Sequence, residues 1–248
     1  MKFYIGTTNP YKVREIASIL RPLEIELHTT EPVDPEETSK TFDGNAEIKA
    51  KAYAKYVKNQ LVNKLTEERN RLSKKDAQKF LFLDQVLTIS EDSGLIIPKL
   101  GNLPGPWSAR FSDFSKIDIK RGTLSGYKKS NLKRESIDIR NNKKVLELME
   151  GIEQPNRSAK FVVVLKVADI NGHILFSSTG EAYGWIAEEP CGANGFGYDP
   201  IFISDTSFGK TWAELDSMRK NIISHRRKAL QNFTMWLATQ IKLEQGYV

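Results

Sequence analysis

Four short segments of the chain carry groups suited to a phosphorylated ligand. The first is Thr7-Thr8-Asn9-Pro10, with Lys12 two residues on. Asn9 is a good helix N-cap and Pro10 a good first helical residue. A helix beginning there turns unpaired backbone N–H groups toward an anion. Thr7, Thr8 and Asn9 add polar side chains, and Lys12, one turn in, can reach back over the same anion. The segment lacks the longer glycine-rich loop ending in Gly-Lys-Ser/Thr of a P-loop. A capped helix with no ligand is the competing explanation.

The second segment is Glu91-Asp92-Ser93-Gly94, two acids at the end of an apolar strand. Buried unpaired carboxylates are costly, so these should face water or hold a cation. Oxygen-only ligands beside phosphate suit Mg²⁺, and Glu36 or Glu37 can add another. An acidic turn at a strand end is the alternative. The third is Gly195-Phe196-Gly197-Tyr198-Asp199-Pro200. Its glycines let backbone approach a flat ligand while Phe196 stacks on it, and Asp199 can accept hydrogen bonds from base or ribose. The alternative is a bulged loop with a core-facing Phe. The fourth is Ser224-His225-Arg226 with Lys220 upstream, whose donors suit a purine carbonyl. A structural histidine explains His225 as well.

Two other chemistries are rejected. A Ser-His-Asp hydrolase would need a G-x-S-x-G elbow, which is absent, and the neighbours Ser224 and His225 point apart on a helix. His28, His173 and His225 show no metal-ligand spacing, and Cys191 is the single cysteine, so zinc is unsupported.

These segments need elements to position them. Residues 2 to 5 read as a short buried strand. A helix follows Asn9, with Val13, Ile16, Ala17 and Leu20 on one face. Glu24 to Thr29 is a second strand, and 31 to 40 a polar loop. A long helix is expected from near Asn45, burying Ala46, Ala50, Tyr53 and Val57, with Lys49 near its start. Residues 60 to 79 read as a charged helical extension or solvated excursion. A strand near Phe80 to Ser90 leads into the acids, and Leu95 to Ile97 stay extended. Residues 101 to 110 read as a Gly/Pro loop, and 113 to 140 as a polar, basic stretch without clear order. Val145 to Met149 belong to a short helix.

Lys160 to Ile170 and His173 to Thr179 are expected as strands joined through Asn171-Gly172. Gly180 to Ala187 is a third strand, and Ile201 to Ile203 a short fourth after a glycine-rich loop from Gly192 to Asp199. The last helix should face inward through Ile222, Ala229, Leu230, Phe233, Leu237 and Ile241. The mixture points to an α/β or α+β fold around one extended sheet.

With 248 residues, 40% hydrophobic and 27% charged, the composition fits one large domain or one domain of two lobes. The longest apolar runs, such as Phe161 to Leu165, are too short to span a bilayer. The opening residues lack a secretory apolar stretch, and the lone cysteine makes the cytoplasm the simplest compartment. A formal charge of +6 permits an anionic partner, but solvated lysines explain it too. Nucleic-acid binding would require that charge on one face.

Taken together the blocks resemble the inosine triphosphate pyrophosphatase family, house-cleaning enzymes of non-standard purine nucleoside triphosphates. The resemblance runs through residues 7 to 16, Glu36-Glu37-Thr38, Thr41-Phe42, Asn45-Ala46, Lys49-Ala50 and Asp92-Ser93-Gly94-Leu95. It continues through Leu103-Pro104-Gly105, Ser108-Ala109-Arg110, Gly195 to Ile203, Lys210-Thr211, Ala213-Glu214-Leu215, Lys220, residues 223 to 226 and Ala229-Leu230. The order is collinear and leaves out only segments near 60–83 and 113–138, which look longer than typical.

The resemblance implies a mixed α+β fold, with a long mixed central sheet, two α/β lobes in a single domain, and a nucleotide cleft between them. It implies a homodimer, a nucleoside triphosphate substrate, Mg²⁺, and no membrane or nucleic-acid partner. It assigns Thr7 to Lys12 to the triphosphate, Glu37 and Asp92 to the metal, and Asp92 to activation of water. Lys49 contacts phosphate, with Ser93 beside it. Phe196 and Gly197 meet the purine, Tyr198 and Asp199 flank base and sugar, and Lys220, His225 and Arg226 surround the base edge. Departures are Thr8, Asn194 and Arg227 where glycine is usual, and Glu91 where Asp is common. The expected reaction is hydrolysis of ITP, dITP or XTP to the monophosphate and pyrophosphate. Alternatives are a related pyrophosphatase for pyrimidine or modified nucleotides, and a basic nucleic-acid-binding protein on the same fold.

Overall fold

The computed structural model describes residues 1–69 and 85–244. The fold is mixed α+β around a long mixed sheet, as expected. Its strands are β1 (Lys2–Gly6), β2 (Glu26–Thr29), β3 (Val86–Ile97), β4 (Leu103–Pro104), β7 (Ser158–Asp169), β8 (Ile174–Ile186) and β9 (Phe202–Ser204). They lie in the order β2-β1-β3-β7-β8-β9, with β4 on β3. β1 runs parallel to β2 and β3, while β3–β4 and β8–β9 are antiparallel. A separate hairpin pairs β5 (Phe114–Asp118) with β6 (Thr123–Tyr127). The helices are α1 (Pro10–Leu20), α2 (Phe42–Arg69), α3 (Arg134–Leu148), α4 (Ser217–Ile223) and α5 (His225–Glu244). No helix among the described residues is long and apolar enough to cross a membrane.

The chain divides into two compact units. The first comprises Met1–Asp92, Val164–Ser178 and Leu230–Val248. Phe3 and Ile5 of β1 are buried, as are Ile16, Ile19 and Leu20 of α1. Phe3 meets Phe233 of α5 edge to face at 5.6 Å. Helix α2 starts three residues before Asn45 and buries the expected Ala46, Ala50, Tyr53 and Val57. Ala50 and Ala54 pack on Ala168 of β7. Such small side chains let a helix backbone ride close to a sheet. The charged stretch after residue 60 continues α2 to Arg69; the rest of it, and the start of the strand expected at Phe80, lie outside the described residues.

The second unit comprises Ser93–Val163 and Thr179–Ala229. Its core gathers Leu95, Ile97, Phe111, Val145, Met149, Phe161, Ile186, Phe202 and Trp212. The stretch from 113 to 140 is ordered as β5, β6 and the first half of α3, which extends well beyond the short helix expected around Val145. Of residues 101 to 110, expected as a Gly/Pro loop, those from Gly105 on belong to a 3₁₀-helical stretch that runs to Asp113.

The Asn171-Gly172 turn holds. Gly172 sits at φ +85°, and the Asp169 carboxylate accepts from the N–H groups of Asn171 and His173 at 2.8 and 2.9 Å. Two strands expected after it are one, because β8 runs unbroken through Gly180. That glycine serves packing instead of a turn. A Cβ there would stand 2.0 Å from the His225 carbonyl and 2.8 Å from Ala229 N. Gly180→Ala should therefore push the start of α5 off the sheet and cost about 1–3 kcal/mol. Urea titration checks this as a lower midpoint at unchanged slope.

The inward face expected for the last helix needs correction. Ala229, Leu230, Phe233 and Leu237 are buried, but Ile222 is 68% and Ile241 39% exposed. Ile222 lies on α4, and Ser224, extended at ψ 154°, breaks the helix before α5. The two isoleucines do not share one buried stripe.

Candidate functional site

Parallel pairing of β1 with β3 brings Gly6 opposite Ser90. The loop leaving the carboxyl end of β1 thus lies beside the acids following Ser90, which sit in the middle of β3 and not at the strand end expected from the sequence, because β3 runs on to Ile97. Gly6 is required there, since a Cβ would fall 2.3 Å from Ser90 Oγ and 2.7 Å from the Tyr53 ring. Asn9 caps α1 as expected, accepting from Tyr11 N at 2.9 Å. Its own N–H donates to Thr7 Oγ1 at 3.2 Å, which tightens the turn containing Thr8.

One turn into α1, Lys12 Nζ lies 3.1 Å from Oε1 of the buried Glu91. From α2, Lys49 Nζ lies 2.6 Å from Glu37 Oε1 and 2.7 Å from Asp92 Oδ1. Three carboxylates are thereby gathered around two ammonium groups within the first unit. Asn45 joins them, a residue for which the sequence suggested no separate role. Its Nδ2 is 3.5 Å from Asp92 Oδ2, at the limit of hydrogen bonding, while its Oδ1 accepts from Ser39 N at 3.0 Å. A fully buried Asn one turn into an alanine-rich helix is the signal that would have found it. Glu36 is exposed.

Burial sets the proton chemistry. It pushes the Asp92 carboxyl above its usual value, against the pull of Lys49 and Lys12 and with some help from Glu37. Burial also works against the charge of Lys49, but Asp92 and Glu37 outweigh it and hold the ammonium above its usual value. Among the described residues no group of three or more His, Cys, Asp or Glu is arranged to hold a metal unaided. Yet Glu37 and Asp92 already converge on one cation, the Lys49 ammonium. Two hard oxygen donors, completed by phosphate oxygens and water, are the ligand set Mg²⁺ accepts.

The remaining candidates gather in the second unit. Gly195 has φ +75°, and a Cβ on it would stand 2.0 Å from Asp199 Oδ2. That space is taken because Asp199 Oδ2 accepts from Phe196 N at 2.9 Å and pairs with Lys220 Nζ at 2.5 Å. Both charged side chains are buried. The Lys220 ammonium also lies 4.6 Å from the Phe196 ring centre and 5.5 Å from that of Trp212. Cation–π attraction of this kind offsets part of its desolvation. Tyr198 is buried in the core, its OH donating to Ser108 O at 2.8 Å. Burial raises its phenol well above the ordinary range. It braces the loop from behind.

His225 lies nearly parallel to Phe161, at 5.0 Å and 16°, and to Trp212, at 5.6 Å and 8°, and those two rings stack on each other at 5.0 Å. Arg226 is buried, with Nη2 3.4 Å from Ser93 Oγ. The expected residues thus form two groups. Thr7, Thr8, Asn9, Lys12, Glu37, Lys49 and Asp92 lie in one unit; Ser93, Phe196, Gly197, Tyr198, Asp199, Lys220, His225 and Arg226 lie in the other.

Comparison with known proteins gives this arrangement its relatives. The profile of the Ham1 family matches residues 3–236. The chain belongs to the Ham1 family. Among its Ham1 relatives, the dITP/XTP pyrophosphatase of Bacillus subtilis (strain 168) is 37% identical over 94% of this chain and 95% of its own. The dITP/XTP pyrophosphatase of Listeria monocytogenes (serotype 4b) is 34% identical over 97% of each. The solved HAM1 protein of Coxiella burnetii superposes with a TM-score of 0.69 at 30% identity, covering 96% of this chain and 99% of that one. The match to these relatives covers 94–97% of this chain and 95–99% of theirs.

Proposed function

We propose that the chain hydrolyses non-standard purine nucleoside triphosphates, ITP, dITP and XTP, to the monophosphate and pyrophosphate. The observation that carries this is the Lys12–Glu91 and Glu37–Lys49–Asp92 cluster beside a capped helix start, in a chain whose relatives are named dITP/XTP pyrophosphatases.

In this reading Thr7 to Asn9 and the first N–H groups of α1 take the phosphates. Lys12 and Lys49 exchange their carboxylate contacts for phosphate oxygens and stabilise charge on the leaving pyrophosphate. Asp92, whose burial makes it more basic than a surface aspartate, takes the proton of the water attacking the α-phosphorus. Glu37 and Asp92 would hold Mg²⁺, which when bound supplies neutralising charge to the triphosphate. Phe196 stacks on the purine. Donors on Lys220, His225 and Arg226 suit the six-carbonyl of hypoxanthine or xanthine. Adenine presents an amino group there, and each mispaired buried donor costs about 1–3 kcal/mol. The reading includes a homodimer acting on the cytoplasmic nucleotide pool.

A turnover panel tests it. Pyrophosphate should appear from ITP and XTP with Mg²⁺ present, fall to background when the cation is chelated, and remain low from ATP and TTP. Preference for a pyrimidine triphosphate, or salt-sensitive oligonucleotide binding without turnover, would replace this reading.

A further inference from the structure

Helix α3 buries Asp138, Asn141, Asn142 and Val145, the i, i+3, i+4, i+7 face that a helix normally gives to apolar packing. Burying polar groups there is costly unless each finds a partner. Two of them find the same residue. Asp138 Oδ2 accepts from Gly197 N at 2.9 Å, and Asn142 Nδ2 donates to Gly197 O at 3.0 Å. The third works one step away. Asn141 accepts from Ser112 N at 2.7 Å and donates to Ser108 O at 3.1 Å, the carbonyl that also receives Tyr198 OH. Asp138 Oδ1 lies 3.0 Å from Arg134 Nε, but without the alignment of a hydrogen bond. Among the described residues Asn142 Oδ1 meets no hydrogen-bond donor, and the Asn142 nitrogen makes the bond to Gly197.

We propose that Asp138 and Asn142 are positioning residues that clamp the Gly197 backbone by its N–H and its carbonyl and so set the Phe196–Asp199 loop for the base. The proposal rests on the reading that this loop meets the purine. Gly197 stands at φ +64°, between Phe196 and the Tyr198–Asp199 pair. Fixing its N–H and carbonyl fixes the plane of each neighbouring peptide, and with it the direction of the Phe196 ring. A loop released from the clamp would lose grip on the base without altering the water-activating carboxylate. The effect belongs in KM and in base discrimination.

The two bonds have opposite polarity, which makes the test specific. Asp138→Asn keeps an acceptor oxygen for Gly197 N while removing the charge opposite Arg134. Asn142→Asp replaces the donor with an oxygen that the Gly197 carbonyl repels. We expect Asp138→Asn to keep KM for ITP near wild type. Asp138→Leu and Asn142→Asp should raise it about tenfold, with kcat little changed and the ITP/ATP ratio reduced. Hydrogen exchange in the peptide covering 195–199 should accelerate in those two variants and not in Asp138→Asn. Asn142→Ala, which removes the donor without adding charge, should follow Asn142→Asp and serves if the latter does not fold.

Wild-type KM and exchange in both Asn142 variants would overturn the proposal. So would Asp138→Asn as damaging as Asp138→Leu, since the residue would then act through Arg134, or a fall in kcat at constant KM. A wild-type protein indifferent to the base would instead remove the reading of the loop as a base site. The exchange data would still report whether the clamp exists.

Discussion

Asp92→Asn should lower kcat on ITP by about 10²–10⁴-fold while changing ITP affinity far less. The substitution is nearly isosteric, and its Oδ1 can still accept from Lys49, which lies 2.7 Å from the native carboxylate. What disappears is the charge that takes a proton from water and helps hold a cation. Single-turnover rates, with affinity measured separately, distinguish this from a folding defect; near-normal turnover would refute the role. The same carboxylate should set the acid limb of the pH–rate profile. Because burial lifts its pKa, the limb should lie above the usual Asp value of about 3.9. Activity then rises as the solution is made more alkaline through that elevated value. Lys49→Gln removes a cation that favours the ionised form, so the limb should move higher still.

The second large effect concerns the buried Lys220–Asp199 pair. Breaking a buried ion pair by removing one partner typically costs about 3–5 kcal/mol, because the other charge is left unpaired in low dielectric. Lys220→Met should therefore destabilise the protein by an amount in that range. Asp199 Oδ2 would keep only its bond from Phe196 N among the contacts described above. The double variant Asp199→Asn with Lys220→Met should recover much of the lost stability, since the buried carboxylate that lost its ammonium is neutral there. It should not recover discrimination between ITP and ATP, because a donor suited to the six-carbonyl is gone. Denaturant unfolding of the single and double variants, beside their substrate ratios, separates the two contributions.

Local chemistry made part of this architecture readable in advance. The cap at Asn9, the proline after it and the Asn171-Gly172 turn depend on a few neighbouring residues, and the folded chain uses them as their types suggest. The Ala46, Ala50, Tyr53 and Val57 stripe followed from helical periodicity. Only the end of helix α3, around Val145, was expected; the rest escaped because its buried face is built from Asp138, Asn141 and Asn142, so an apolar period cannot reveal it. Ile222 misled because apolar spacing was carried across the break at Ser224, and Ile241 because the spacing was carried into the last turn of α5, where the side chain is exposed. Gly180 was taken for a boundary, when its small size admits the His225 backbone.

The site divides along the same line. Candidate groups could be named from residue types, and the resemblance assigned them roles. Lys49 meeting both Glu37 and Asp92 depends on tertiary register. These residues are 12 and 43 positions away from Lys49 in the chain, and only pairing of β1 with β3 and docking of α2 bring them together. Asn45 and the Gly197 clamp were invisible for the same reason, since each acts through contacts with distant backbone or a distant side chain.

The most direct measurement is phosphorus NMR of an equimolar ITP and ATP mixture, digested by the Mg²⁺-supplemented protein in water enriched in heavy oxygen. Attack of water at the α-phosphorus should yield inosine monophosphate carrying one solvent oxygen, unlabelled pyrophosphate, and ATP left intact. Orthophosphate as the first product, solvent oxygen in the pyrophosphate, or ATP consumed as fast as ITP would contradict it.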